Sequence, residues 1–254
     1  MSRRFGAVGI RRPALRESVG AATPFSPTQI STLWAWYRGD TVVQVANAIS
    51  EWTDKSGNAR HMTQATASLK PTWESSFASM NNQGAVRFIS DGVSSFDFLA
   101  MPNMSALTAA EMWLIIKVNT DPPSAQAKGG FMQVGTAAGA TLYPNTSDNN
   151  ILDAWGSTVR RATGDPTPSL ATTHAYSVVT TTTEWTNAIN GTQFFTTGTN
   201  TVGFLASPTC GGNNVDVGMD GRIGEMLVFS AKLANQDRQN LKAYLATRYA
   251  ITIA

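Results

Sequence analysis

Residues 112–118, Met-Trp-Leu-Ile-Ile-Lys-Val, form a nearly continuous apolar run between polar, turn-prone stretches. A run this short suits a strand buried on both faces better than a helix. A chain that holds such a strand needs one layer of structure above it and another below.

The remainder of the chain is patterned to supply those layers. Ala85–Ile89, Phe131–Val134, Ile151–Trp155, His174–Thr180 and Arg222–Phe229 are predicted strands, rich in β-branched and aromatic residues and separated by turn signals. Trp185–Ile189 and Thr192–Phe195 flank Asn190-Gly191, the dipeptide that tolerates the two positive φ angles of a type I′ hairpin turn. In Leu33-Trp34-Ala35-Trp36-Tyr37-Arg38, strand alternation places Trp34 and Trp36 on one face, with Ala35 and Tyr37 on the other. Gly224, inside the last strand, marks a bulge or a close approach to aromatic side chains. Arg222 and Glu225, three apart, fall on opposite faces of a regular strand.

Two helices are predicted. Ser26-Pro27-Thr28-Gln29 carries a capping residue, a proline at the first helical position and the partner of a capping box, opening a short helix over 27–32. Residues 235–248 place Leu241, Tyr244, Leu245 and Arg248 on one stripe, with Asp237 early and Lys242 late, as the helix dipole favours.

Charge is unevenly placed. Arg3, Arg4, Arg11, Arg12 and Arg16 stand against Glu17 alone in residues 1–26, so this segment carries +4 of a net +2 and the rest is slightly acidic. Residues 1–26 are therefore read as an extended basic arm and 27–254 as one domain. The arm lacks the aromatic interleaving of a nucleic-acid binder, and its arginines suit acidic grooves of a protein lattice. Cys210 is the single cysteine, which excludes an intrachain disulfide and weakly favours assembly in a reducing cytoplasm. No run is long and apolar enough to span a membrane.

Four segments, in order, resemble the concanavalin A/laminin-G-like domains of bacteriophage and bacterial proteins. They are Leu33–Asp40; Trp52-Thr53-Asp54-Lys55-Ser56-Gly57-Asn58-Ala59-Arg60-His61 with Gln64–Thr66 and Lys70–Thr72; Gly84–Phe88 running into Phe98-Leu99; and Asp220–Phe229 followed by the terminal helix. The resemblance implies an all-β fold, a two-sheet antiparallel jelly-roll sandwich of 12–14 strands. It also implies a structural virion role in phage members: capsid decoration, or a tail, baseplate or fibre module that binds host-surface glycan. On that reading the protein sits on a virion assembled in a bacterial host cytoplasm. The arm would hold it to other virion proteins, and it would form a homo-oligomer on the particle.

The sequence offers little chemistry. The glucanase branch of this superfold carries Glu-x-Asp-x-x-Glu on one strand, and no such run occurs. Glycosidases need two carboxylates across a cleft; by strand parity Asp220 and Glu225 face opposite ways, as do Glu51 and Asp54. A polysaccharide hydrolase remains a remote alternative. His61 and His174 are the only histidines. No cofactor is expected; Asp54 and Asn58 read as a turn or as oxygen donors to Ca²⁺. Trp34, Trp36, Trp52 and Trp113 read as core. Trp73, Trp155 and Trp185 flank polar turns and are the candidates for stacking on sugar.

Overall fold

The computed structural model describes residue 1 and residues 24–90, 96–119, 129–143, 149–212 and 218–254. Arg3, Arg4, Arg11, Arg12 and Arg16 of the arm lie outside the described residues.

The fold is an all-β sandwich with a helix packed on one outer face. The first layer runs β14 (Thr192–Thr197), β13 (Glu184–Ile189), β12 (His174–Thr181), β7 (Ala110–Val118) and β16 (Gly221–Phe229). The far edge of β16 is shared: β5 (Gln83–Phe88) pairs with its first third and β1 (Leu33–Val45) with the rest. The second layer runs β11 (Arg161–Ala162), β10 (Leu152–Asp153), β9 (Thr141–Leu142), β8 (Gly130–Gly135), β15 (Phe204–Cys210), β6 (Leu99–Ala100), β3 (Met62–Thr63) and β2 (Ala48–Asp54). β4 (Thr72–Phe77) pairs with β5 and touches β2 at Ala48. All pairings are antiparallel, as a jelly-roll sandwich requires. The described residues hold sixteen strands, more than the resemblance implies, because several are two-residue pairings.

β7 is the central strand that its apolar run predicts. Met112, Leu114, Ile116 and Val118 face the inter-sheet core, while Trp113 and Ile115 face a second core under the helix. That second core is closed by α1 (Asn235–Tyr249), which buries Leu241, Leu245 and Tyr249. Asp237 in its first turn and Arg248 in its last complement the helix dipole. The N-terminal helix is a single 3₁₀ turn, Pro27–Gln29, shorter than the predicted 27–32. The capping box forms, but Ile30 is already extended. The Asn190-Gly191 hairpin is as predicted, with φ of 48° and 77°.

β1 crosses between the layers. Its first half pairs with β16 and its second half with β2. The crossing point is Gly39, where a Cβ would lie 2.0 Å from the carbonyl oxygen of Gly84. Only a residue without a side chain lets these backbones approach so closely.

Two parity arguments fail for one physical reason. A register shift between Leu33 and Ala35 puts Trp34 in the inter-sheet core while Trp36 faces the helix, so the two indoles do not share a face. A second shift, between Ile223 and Glu225, falls at Gly224, where a Cβ would meet Met80 Sδ at 2.9 Å and Tyr249 at 3.0 Å. This bulge brings Arg222 and Glu225 to the same, helix-facing side, against the reading from regular alternation.

Candidate functional site

Most carboxylates of the described residues are tied into structure. Glu111 and Glu225, both fully buried, lie beneath α1. Glu111 accepts from the Trp113 indole (2.8 Å), the Leu233 amide (2.9 Å) and the Arg238 guanidinium. Glu225 accepts from Trp36, Tyr244 and Tyr249, with Arg248 3.4 Å away. The same-side placement of Glu225 therefore does not open it to a substrate. Asp153, also fully buried, accepts from Thr141, the Trp155 amide and the Tyr176 hydroxyl, and burial pushes its pKa up. Glu74 pairs with Arg222, and Glu184 with Lys232.

Asp54 is a turn organiser. Its Oδ1 accepts from the amides of Trp36 and Ser56, both at 2.8 Å. Its Oδ2 accepts from the Ser56 hydroxyl (2.7 Å) and the Arg60 amide (3.0 Å). Asn58 turns its amide NH₂ to the carbonyls of Leu33 and Trp34. With the lone pairs of Asp54 filled by donors, the Ca²⁺ reading of Asp54 and Asn58 gives way to the turn reading. His61 accepts from the Asp54 amide through Nδ1, closing the same turn.

The three tryptophan candidates part company. Trp155 and Trp185 are fully buried at 1% and 0% exposure, so neither ring face can stack on a sugar. Polar turns flank both residues in the sequence. Those turns instead close over the rings: Trp155 meets Phe204 edge-on at 5.4 Å, and the Trp185 indole donates to the Trp155 carbonyl at 3.0 Å. Trp73 is half-buried against the inter-sheet core, and its indole N–H reaches the Gly39 carbonyl at 2.7 Å. The predicted core tryptophans, Trp34, Trp36, Trp52 and Trp113, are all buried.

The cleft that sequence reasoning missed is lined by Arg161, the residue that covers the Trp185 ring. It is an open depression of about 460 Å³ at one end of the sandwich. Val159 and Arg161 form one wall, the β12–β13 turn Thr182-Thr183 another, and Thr197–Thr201 a third. A second depression of about 440 Å³ meets it at Thr182, Asn200 and Thr201, and extends it toward Ser105, Leu107 and Thr108. No Asp or Glu lines either part.

The floor of this cleft is fixed. Asn200 donates to Thr180 Oγ1 (2.8 Å) and the Thr181 carbonyl (3.0 Å), and accepts from Ser157 (2.7 Å) and Arg161 (3.1 Å). One amide thereby joins the β12–β13 turn, the β14–β15 connection and the segment after β10. Backbone bonds from Thr158 to Thr201 and from Gly203 to Gly156 pin the same strip. Arg161 lies over the buried Trp185 ring, 5.0 Å from its centroid. Above this frame the hydroxyls of Thr182, Thr183, Thr199 and Thr201 stand exposed, beside the exposed Val159. The cleft thus offers hydroxyls that can donate and accept beside an apolar rim. The sequence signal for this site was a run of threonines in two turns, a composition that equally describes any β-turn surface.

No protein-family model and no curated protein matches this sequence. Solved structures do match in fold. A sialidase from Trypanosoma rangeli in complex with sialic acid aligns at a TM-score of 0.56 and 11% identity, over 86% of this chain and 33% of its own. Domain 4 of AbnA, a GH43 extracellular arabinanase from Geobacillus stearothermophilus, in complex with arabinotriose, aligns at 0.55 and 16% identity, over 86% of this chain and 98% of its own. This chain thus spans about a third of the sialidase and nearly all of the arabinanase domain. At these identities the likeness establishes a shared β-sandwich fold.

Proposed function

We propose that the chain is a non-enzymatic glycan-binding module whose site is the Thr-lined cleft at Arg161. The observation that carries this reading is an acid-free cleft with a hydrogen-bonded floor, exposed threonines on two walls and Val159 and Arg161 on the third. The arabinanase domain, which aligns over nearly its whole length and was solved with arabinotriose, supports the reading without fixing a ligand. The absence of carboxylates from the cleft lining argues against glycoside hydrolysis there. A glycan array probed with the full chain tests the proposal, followed by a reducing-sugar assay on each glycan bound. Binding without release is expected. Release of sugar would move the protein to the hydrolase class, and a blank array would remove the glycan reading.

A second reading concerns what the module is attached to. Pro24 and Phe25 lie along α1, with the Phe25 ring edge-on to Tyr244 at 6.3 Å. The arm therefore starts from a fixed point on the helix-covered face. We propose that the arm, residues 1–26 with its five arginines, anchors the domain to acidic grooves of a virion protein lattice. Co-purification of the full chain with particles, lost on deleting residues 1–23, is the expected result. Unchanged occupancy would sink the anchoring role.

A further inference from the structure

We infer that the cleft selects a carboxylate-bearing glycan, a uronate or sialate sugar, through the guanidinium of Arg161. This inference rests on the glycan-binding reading and narrows its ligand class.

A guanidinium has five N–H donors. Nη1 of Arg161 donates to Ser157 Oγ and to the Val159 carbonyl, both at 2.9 Å. Nη2 gives one bond, to Asn200 Oδ1 at 3.1 Å. The Nε–H and one Nη2–H remain, and the group lines the cleft. All three acceptors are neutral, so its positive charge is held by polar groups but not neutralised. Among the described residues no carboxylate lies within ion-pair distance of it.

The surroundings make the unspent charge directional. Trp185 occupies one face of the guanidinium. The nearest acid, Asp153, is fully buried below, with its oxygens taken by Thr141, the Trp155 amide and Tyr176. Burial lowers the pKa of Arg161, and the charge of Asp153 offsets this only in part. A ligand carboxylate entering from solvent would meet the two free donors, and an arginine fork binds carboxylates in two-point fashion. The exposed hydroxyls of Thr182 and Thr199 would take the sugar's own hydroxyls, and Val159 its C–H face.

The test pairs uronate- and sialate-bearing oligosaccharides with their methyl esters, titrated calorimetrically into the full chain. The acid forms should bind about 10- to 100-fold more tightly than the esters, the range of charge-assisted hydrogen bonds, with affinity falling as salt rises. Val159→Asp places a carboxylate on the exposed rim and keeps the main-chain carbonyl that accepts from Arg161. Because Val159 also meets the sugar's C–H face, ester and neutral binding should weaken somewhat, and acid binding at least tenfold more. Arg161→Lys, checked for native thermal unfolding, should keep attraction but lose most of the acid preference. Equal binding of acids and esters, or binding of neutral glycans alone, would overturn the acidic class and leave the glycan site standing. A sulfated glycan preferred over every carboxylate would also overturn it. Failure of all glycans would remove both readings.

Discussion

The indole N–H of Trp36 on β1 donates to a carboxylate oxygen of Glu225 on β16 at 2.5 Å, across the seam where β1 joins the first layer. The Tyr244 and Tyr249 hydroxyls, both from α1, reach the same carboxylate at 2.9 Å. One fully buried acid thus ties the helix to two strands, and burial pushes its pKa up. Glu225→Gln would remove the buried negative charge beside Arg248 and set an NH₂ against that guanidinium or the Trp36 indole, neither of which can accept. The expected cost is about 2–4 kcal/mol, by the penalty for unmatched buried polar groups. Urea unfolding measures it, and an unchanged midpoint would show that the acid is dispensable.

Gly39 and Gly57 separate two demands on glycine. A Cβ at Gly39 would collide with the backbone of Gly84, which no side-chain rotation relieves. Gly57 has φ of +90° but open space around it. Gly39→Ala should therefore cost more than ~3 kcal/mol or prevent folding, and Gly57→Ala only ~1 kcal/mol of backbone strain. Comparable thermal shifts for the two variants would refute the crossing-point argument.

Trp185 and Trp155 belong to stability rather than to ligand contact. Truncating either to Ala should cost about 3–5 kcal/mol by cavity formation. Trp185→Phe keeps a ring beneath Arg161 and should lower the melting temperature while leaving a measurable affinity. Loss of binding in a Trp185→Phe protein of native stability would instead place that indole in direct contact with the ligand.

Asp97 gives a pH dependence of known sign. It accepts from the Ile89 amide at 2.9 Å, and burial pushes its pKa up to about 6. An unfolded aspartate titrates near 3.9. Between about pH 4 and about pH 6 the folded state therefore holds the extra proton. Asp97 should thus make the fold less stable as pH rises through this window. Asp153 and Glu225 shift in the same direction, so the isolating experiment is Asp97→Asn. Its melting temperature should fall less between pH 4 and 6 than that of the parent. Parallel curves would contradict the assignment.

Elements with strong local signals were legible in the sequence: β7 from its apolar run, the β13–β14 hairpin from Asn-Gly, α1 from its stripe. β4 (Thr-Trp-Glu-Ser-Ser-Phe) went unread because its polar residues carry no clean alternation. β15 went unread because Pro208 interrupts it. Faces were misread wherever a bulge intervened, at Trp34 and at Glu225, since one inserted residue inverts strand parity. The cleft was invisible for a different reason. Arg161, Thr182 and Asn200 meet only through tertiary structure, and each alone is an ordinary turn residue. The sequence did draw attention to Trp185, which lies one layer beneath.

The account stands most directly on where a sugar touches the protein. Backbone-amide NMR of the full chain, titrated with a uronate oligosaccharide and its methyl ester, reports this residue by residue. The expected result is saturable shifts at residues 159–162, 182–183 and 198–202, larger for the acid than for the ester. Shifts confined to another face, such as the surface of α1, or none at millimolar sugar of any class, would contradict it.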